Sequence, residues 1–324
     1  MKKGLLILSV AALGFAACGG GFKKGPAGLL YNIHNDVKGD SIADGDFISL
    51  NIIAKTDGDS VLYNSYELDR PSQTFVSKPA YAGDLFYAIK LLSKGDSATF
   101  KIDLDSAEAK GQPKPATIKG KYIIYTVKIE EVIHKDTANQ QAFQSKVEAY
   151  FKAEGERAKN AEEKNIKKYI DDSKVKATTL PSGLYVATTT EGKGIQPVAG
   201  DSVVVNYTGK LLSGKVFDTS VEADAKKANI FNPARAPYKP LSLIIGKGNV
   251  IPGFDEGVMH MKKGEKATVI IPSKLGYGEQ GMPGGMIGPF TPLIFELELV
   301  DVIQKHEAPV APMAPPAAPQ APAK

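Results

Sequence analysis

Side chains able to do covalent or proton-transfer chemistry are few in this chain. The four histidines, His34, His134, His260 and His306, are scattered and lack metal-ligand spacing with neighbouring carboxylates. There is no GxSxG elbow, phosphate loop or HExxH. Gly246-Lys247-Gly248 lacks the third glycine and the helix pattern of a dinucleotide fingerprint. A single cysteine, Cys18, excludes a disulfide framework, a CxxC redox pair and a four-cysteine zinc site. What the second half does hold is a series of aromatic and apolar residues at glycine-punctuated positions. In order they are Val205-Asn206-Tyr207-Thr208-Gly209, Gly214-Lys215-Val216-Phe217-Asp218-Thr219-Ser220, Ile245 to Gly257, Ile271-Pro272-Ser273-Lys274-Leu275-Gly276-Tyr277-Gly278, and Pro292 to Leu299. On composition alone, such aromatics belong to a packed core.

The elements that must position them come in two copies. Similarity recurs at an offset near 155 residues, which suits two copies of one domain. Gly45-Asp46-Phe47-Ile48-Ser49-Leu50-Asn51 answers Gly200 to Asn206, Lys94-Gly95-Asp96 answers Lys263-Gly264-Glu265, and Ile123 to Ile129 answers Leu293 to Leu299. Most matched segments are five to eight residues long and apolar, bounded by Gly, Pro or Asp, as strands are. The last alternates, which assigns Phe295, Leu297 and Leu299 to the core face and Ile294, Glu296 and Glu298 to water. Gly253 to Met261 is one short helix, with Phe254, Val258 and Met261 on one side. Between the halves, Thr137 to Asp172 is rich in Lys, Glu and Ala and reads as a long helix that Gly155 breaks or bends. Its narrow apolar stripe either packs on this chain or pairs with a second subunit.

The five blocks of the second half, in that order from Ser182 to Ile303, resemble the FKBP-type peptidyl-prolyl cis-trans isomerases. The resemblance implies an α+β fold, a bent antiparallel sheet around one short helix, with two such FKBP-like domains joined by the helical linker. It implies catalytic roles for Tyr207, Phe217, Asp218, Ile251 and Tyr277, and a substrate-binding lining of Leu241, Val250, Phe254, Met286, Ile287 and Phe295. Phe254 would be the pocket floor, where the family usually has Trp. The flap would run from Gly278 to Pro289, with Gly288-Pro289 in place of the usual Pro-Pro. Asp218 would contact the substrate carbonyl or orient Tyr207, while the Tyr277 hydroxyl and the Ile251 N–H would hold neighbouring carbonyls. Val221 to Pro240 is longer than the family has there, either a wider substrate contact or a surface insertion. The first half departs further, with Leu62-Tyr63-Asn64-Ser65 in place of the Phe-Asp block and no Tyr-Gly after Phe100-Lys101-Ile102, so its pocket is expected to be incomplete.

The termini complete the layout. Met1-Lys2-Lys3, the apolar stretch Leu5 to Ala17 and Cys18 read as an export signal of lipoprotein type, too short for a transmembrane span. At the other end, Glu307 to Lys324 holds six prolines and seven alanines and reads as an extended tail. The expected order is signal peptide 1–17, tether 18–27, degenerate FKBP-like domain 28–134, helical linker 135–180, isomerase domain 181–304 and tail 305–324. A charge of +4, spread along 324 residues, does not imply nucleic acid. No metal or organic cofactor is called for. The expected function is isomerisation of proline bonds in unfolded polypeptides at the cell envelope, anchored through lipid on Cys18, with a homodimer through 137–172 as one arrangement. A noncatalytic FKBP-like chaperone is the alternative.

Overall fold

The computed structural model describes residues 21–114, 118–282 and 286–304. The expected signal segment, Cys18 and the Pro/Ala tail lie outside them. The chain divides into two compact units, Met1–Glu148 and Ala149–Lys324.

The first unit contains β1 (Lys23–Lys24), β2 (Leu30–Asn35), β3 (Phe47–Thr56), β4 (Val61–Asn64), β5 (Ser72–Phe75), α1 (Leu85–Ile89), β6 (Ser97–Asp103), α2 (Leu104–Ala109) and β7 (Tyr122–Ile133). Its antiparallel sheet has the order β1-β2-β6-β7-β3-β4, with β5 also on β3. Phe47, Ile48, Leu92, Phe100 and Ile129 fill the core. Within the segment expected as a tether, Lys23 and Lys24 pair with Tyr31 and Leu30 as an edge strand.

A long helix, α3 (Gln140–Ser173), runs uninterrupted through Gly155 and begins three residues later than expected. Asp136 and Asn139 set its start by accepting from the amides of Ala138, Asn139 and Ala142 at 2.8–2.9 Å.

The second unit contains β8 (Thr178–Thr179), β9 (Tyr185–Thr190), β10 (Ser202–Leu211), β11 (Val216–Thr219), α4 (Glu222–Lys227), β12 (Leu241–Ile244), α5 (Pro252–His260), β13 (Lys266–Ile271) and β14 (Leu293–Ile303). Its order, β8-β9-β13-β14-β10-β11 with β12 on β10, repeats that of the first unit strand for strand. The repeat extends to individual side-chain hydrogen bonds, to backbone and to other side chains. Ser65 Oγ accepts from the Ile52 N–H at 2.9 Å, and Ser220 Oγ accepts from the Tyr207 N–H at 2.9 Å. Asn51 Nδ2 donates to Glu130 at 2.7 Å, as Asn206 does to Glu298 at 3.1 Å. Buried Asp96 and Glu265 each accept the amide three residues back, from Ser93 and Lys262. Such groups would cost free energy if left unpaired away from water.

The water-face assignment of Ile294 is corrected. Its side chain is 1% exposed and clusters with Ile166 of α3 and Ile270. Period-two alternation identifies the side of the sheet a residue occupies, but not what covers that side.

Candidate functional site

Four aromatic rings meet at the open end of the second sheet. Phe295 on β14 lies opposite Gly209 on β10. A Cβ at Gly209 would come within 2.6 Å of Phe217 Cζ and 3.0 Å of Phe295 Cε1, so glycine is what admits both rings. Phe295 then meets Phe217 edge-on at 5.7 Å, Phe254 edge-on at 5.4 Å and Tyr207 at 6.2 Å. Tyr207 meets Phe254 edge-on at 6.1 Å. Phe254, on the first turn of α5, and Phe295 are buried, whereas Tyr207, Phe217 and Tyr277 are half-buried. The result is an apolar cup with a buried floor and a partly open rim.

One wall of the cup is polar and closely tied. Asp218 lies opposite Gly209 in the β10–β11 hairpin. Its Oδ2 accepts from the Tyr207 hydroxyl at 2.6 Å, and its Oδ1 accepts from Arg235 Nη1 at 2.6 Å and the Thr219 N–H at 2.9 Å. Arg235 Nη2 also donates to the Thr219 carbonyl at 3.2 Å. Three of the roughly four acceptor positions of the carboxylate are thus in use. Burial, with the Asp218 hydrogen bond and negative charge, pushes the Tyr207 phenol up to about 12, against a smaller opposing pull from Arg235. Tyr277 is raised by burial and then by Asp218, which puts its hydroxyl within electrostatic reach of the same wall. Arg235 is raised, chiefly by its hydrogen bond to Asp218.

The neutral phenol is the form the fold favours, so Tyr207 contributes stability fully below about pH 10, the free-tyrosine value. That contribution is lost as pH rises through about 12. Ultraviolet titration of the native protein against Tyr207→Phe should show no phenolate from this residue at pH 10; its ionisation there would contradict the network.

Arg235 is a site residue that the sequence reading missed. It comes from the 221–240 segment, an ordered structure with α4 at its start and a 3-10 turn at Pro233–Arg235. Asp224 accepts from Thr208 Oγ1 at 2.9 Å, and Ala225 is fully buried, which pins α4 to the sheet. Phe231 stacks on Tyr238 at 5.7 Å, and the Arg235 guanidinium lies 5.1 Å from the Tyr238 ring. The available signal was that Arg235 is one of only three arginines in a lysine-rich chain. A planar fork is what bidentate work on a carboxylate and a carbonyl needs.

The remaining candidates lie on adjoining elements. Val250 and Ile251 are half-buried and lead into α5, where the Ile251 carbonyl accepts from the Phe254 and Asp255 amides at 2.9 and 3.3 Å. Leu241 opens β12 opposite Val205, two residues before Tyr207. In the flap, Met286 is 37% exposed, whereas Ile287 is 1% exposed and belongs to the packing beneath. Residues 283–285 of the flap are outside the described set.

Among the described residues of the first unit there is no equivalent cup. Register places Ile52 where β10 has Tyr207, Leu62 where β11 has Phe217, and Tyr63 where it has Asp218. The Tyr63 hydroxyl bonds Ser72 Oγ at 2.7 Å, and α2 occupies the place of the Tyr277 turn.

Comparison with known proteins gives the family of the chain. The family model described as FKBP-type peptidyl-prolyl cis-trans isomerase matches residues 193–300. A probable FKBP-type peptidyl-prolyl cis-trans isomerase of Haemophilus influenzae is 35% identical over 237 residues, covering 72% of this chain and 88% of that protein. The chain belongs to the FKBP-type peptidyl-prolyl cis-trans isomerase family. The probable isomerase FkpA of Neisseria meningitidis serogroup B is 38% identical over 180 residues, 56% of this chain and 58% of that protein. The chain thus spans somewhat more than half the length of that relative. The crystal structure of FkpA from Escherichia coli is 35% identical, covers 50% of this chain and 69% of that one, and has a TM-score of 0.40. Phe254, expected as the floor of the pocket, packs edge-on against both Tyr207 and Phe295.

Proposed function

We propose that the second unit catalyses cis-trans isomerisation of X-Pro bonds in unfolded polypeptides. The observation that carries this is the four-ring cup with the Tyr207–Asp218–Arg235 network along one wall. Rotation about the prolyl amide faces a barrier of about 18–20 kcal/mol, because resonance is lost as the bond twists. A catalyst must therefore bind the twisted form better than the planar one. The cup takes the proline ring out of water. The twisted carbonyl has less charge separation than the planar amide, so it loses less on leaving water. With its acceptor positions largely occupied, Asp218 acts by holding the Tyr207 hydroxyl at the rim. Tyr277 and the Ile251 N–H hold backbone carbonyls on either side of the proline, and Leu241, Val250 and Met286 line the approach.

The rest of the reading is the order signal peptide 1–17, tether 18–27, degenerate FKBP-like domain 28–134, helical linker 135–180, isomerase domain 181–304 and tail 305–324. The first unit, with Ile52 and Tyr63 where the second has Tyr207 and Asp218, is noncatalytic and binds clients, positions the active domain or supports dimerisation. Cutting before Cys18 and lipidating its thiol would anchor the chain at a bacterial cell envelope, and α3 offers a surface for homodimer formation. Among the described residues no helix is long and apolar enough to cross a membrane. Phe254 in the floor position is the observation that favours a noncatalytic chaperone instead.

Protease-coupled isomerisation of a short X-Pro peptide by the full chain decides between them. Acceleration that falls when Tyr277 is changed to Phe is the expected result. Folded protein without acceleration would overturn the isomerase reading and leave the chaperone.

A further inference from the structure

The helix read as a linker reaches the loop that carries Tyr277. One face of α3 bears Gly155, Lys159, Glu162 and Ile166, spaced four, three and four residues apart, which stacks them along one stripe. Ile166 is buried against Ile270 and Ile294 on the outer face of the second sheet. One turn back, the Glu162 carboxylate takes both donors of Ser273. The Ser273 N–H donates to Oε1, and its hydroxyl donates to Oε2 at 2.8 Å. Ser273 is itself 3% exposed, so water does not readily substitute for that carboxylate.

Ser273 is the hub of the turn that presents Tyr277. Its carbonyl accepts from the Gly276 N–H at 2.8 Å and the Gly278 N–H at 2.9 Å, the two amides that bracket Tyr277. The Gly278 carbonyl accepts in turn from the Phe290 N–H at 2.9 Å, which closes the flap at its base. Phe290 has φ 51°, a left-handed conformation uncommon for a bulky residue, and its ring faces the same helix stripe. The Lys159 ammonium lies 5.7 Å from the ring centroid, and a Cβ at Gly155 would sit 3.7 Å from Phe290 Cε2. Both ends of the flap are therefore seated on α3.

We propose that Glu162 is a positioning residue for the prolyl site, holding the Ser273–Gly278 turn, and through it Tyr277 and the flap base, in the substrate-ready arrangement. This rests on the isomerase reading of the second unit for its catalytic consequence, but not for its structural one. The carboxylate suits the task because it is a pure acceptor facing two donors that belong to one residue. Glutamine keeps half of this directly. Its amide oxygen accepts the Ser273 N–H, and its NH2 donates to Ser273 Oγ, which a hydroxyl accepts by rotating.

The test uses the full chain as wild type, Glu162→Ala, Glu162→Gln and the milder Ser273→Ala, with amide hydrogen exchange and X-Pro kinetics on each. Glu162→Ala should raise exchange by about tenfold or more in peptides covering 273–282 and 286–290, the size expected on losing charge-assisted hydrogen bonds to a loop. β10 and the Glu296–Val302 part of β14 should be unchanged. The same variant should lower kcat/KM by about tenfold, Glu162→Gln should restore most of both, and Ser273→Ala should fall between. Exchange that stays at the wild-type level in 273–290, or that rises equally across the whole unit, would overturn positioning; the second outcome makes Glu162 a stability residue only. A wild-type chain with no turnover would overturn the isomerase reading instead, and the exchange pattern would still decide the role of Glu162.

Discussion

Phe254→Ala is expected to destabilise the second unit by about 3–5 kcal/mol, the range for truncating a buried aromatic ring. Phe254 is 3% exposed, and two of its neighbours, Tyr207 and Phe295, meet it edge-on. The vacated volume lies between a helix end and two paired strands, which cannot close on it without breaking ladder hydrogen bonds, so most of the cavity persists. Edge-to-face pairs add about 0.5–1.5 kcal/mol each beyond area, and two of them go. Activity should fall further than stability, because the cup loses its floor as well as the fixed position of Tyr207. Denaturant unfolding of the full chain and X-Pro kinetics at a temperature where the variant is folded check both parts. A loss of stability near zero would mean that Phe254 does not bear on the core. A loss of stability with kcat/KM intact would remove the floor from the proposed site.

Asp218→Ala has the opposite profile. The carboxylate is 40% exposed and the Arg235 side chain 44% exposed, so water can replace much of what the pair gives in stability. Exposed ion pairs contribute about 0–1 kcal/mol, and a change in that range is expected here. What water cannot replace is position. Without Asp218 the Tyr207 hydroxyl, now held at 2.6 Å, and the Arg235 fork lose their common anchor. Misplacement of a rim group by about 1 Å can reduce turnover by two orders of magnitude, so kcat/KM should drop by about 10- to 100-fold. Asp218→Asn, which keeps an acceptor for one of the two partners, should lie between. Matched kinetics and thermal unfolding of the two variants decide the matter. Equal activity in wild type and alanine variant would show that Asp218 is a surface residue beside the cup rather than part of it.

What the sequence determined by itself is the set of local patterns and their order. Strand-length runs bounded by turn residues, the repeat at about 155 residues, and the aromatic and glycine blocks from Tyr207 to Phe295 are each written in consecutive residues. That two units share one architecture is written in the repeat, whereas the strand order itself rests on pairings such as β3 with β7 and β10 with β14. The tertiary structure alone decided the pairings across long separations. Arg235 reaches Asp218 over 17 residues through an insertion with no pattern of its own, and Glu162 reaches Ser273 over 111. Ile294 is apolar in a position that alternation assigns to water, and it is buried because a helix far away in the chain lies on it. Hydrophobic period reports the face on which a side chain stands, since that depends only on backbone geometry. The partner it meets there depends on how separate elements pack, and no short window of sequence contains that information.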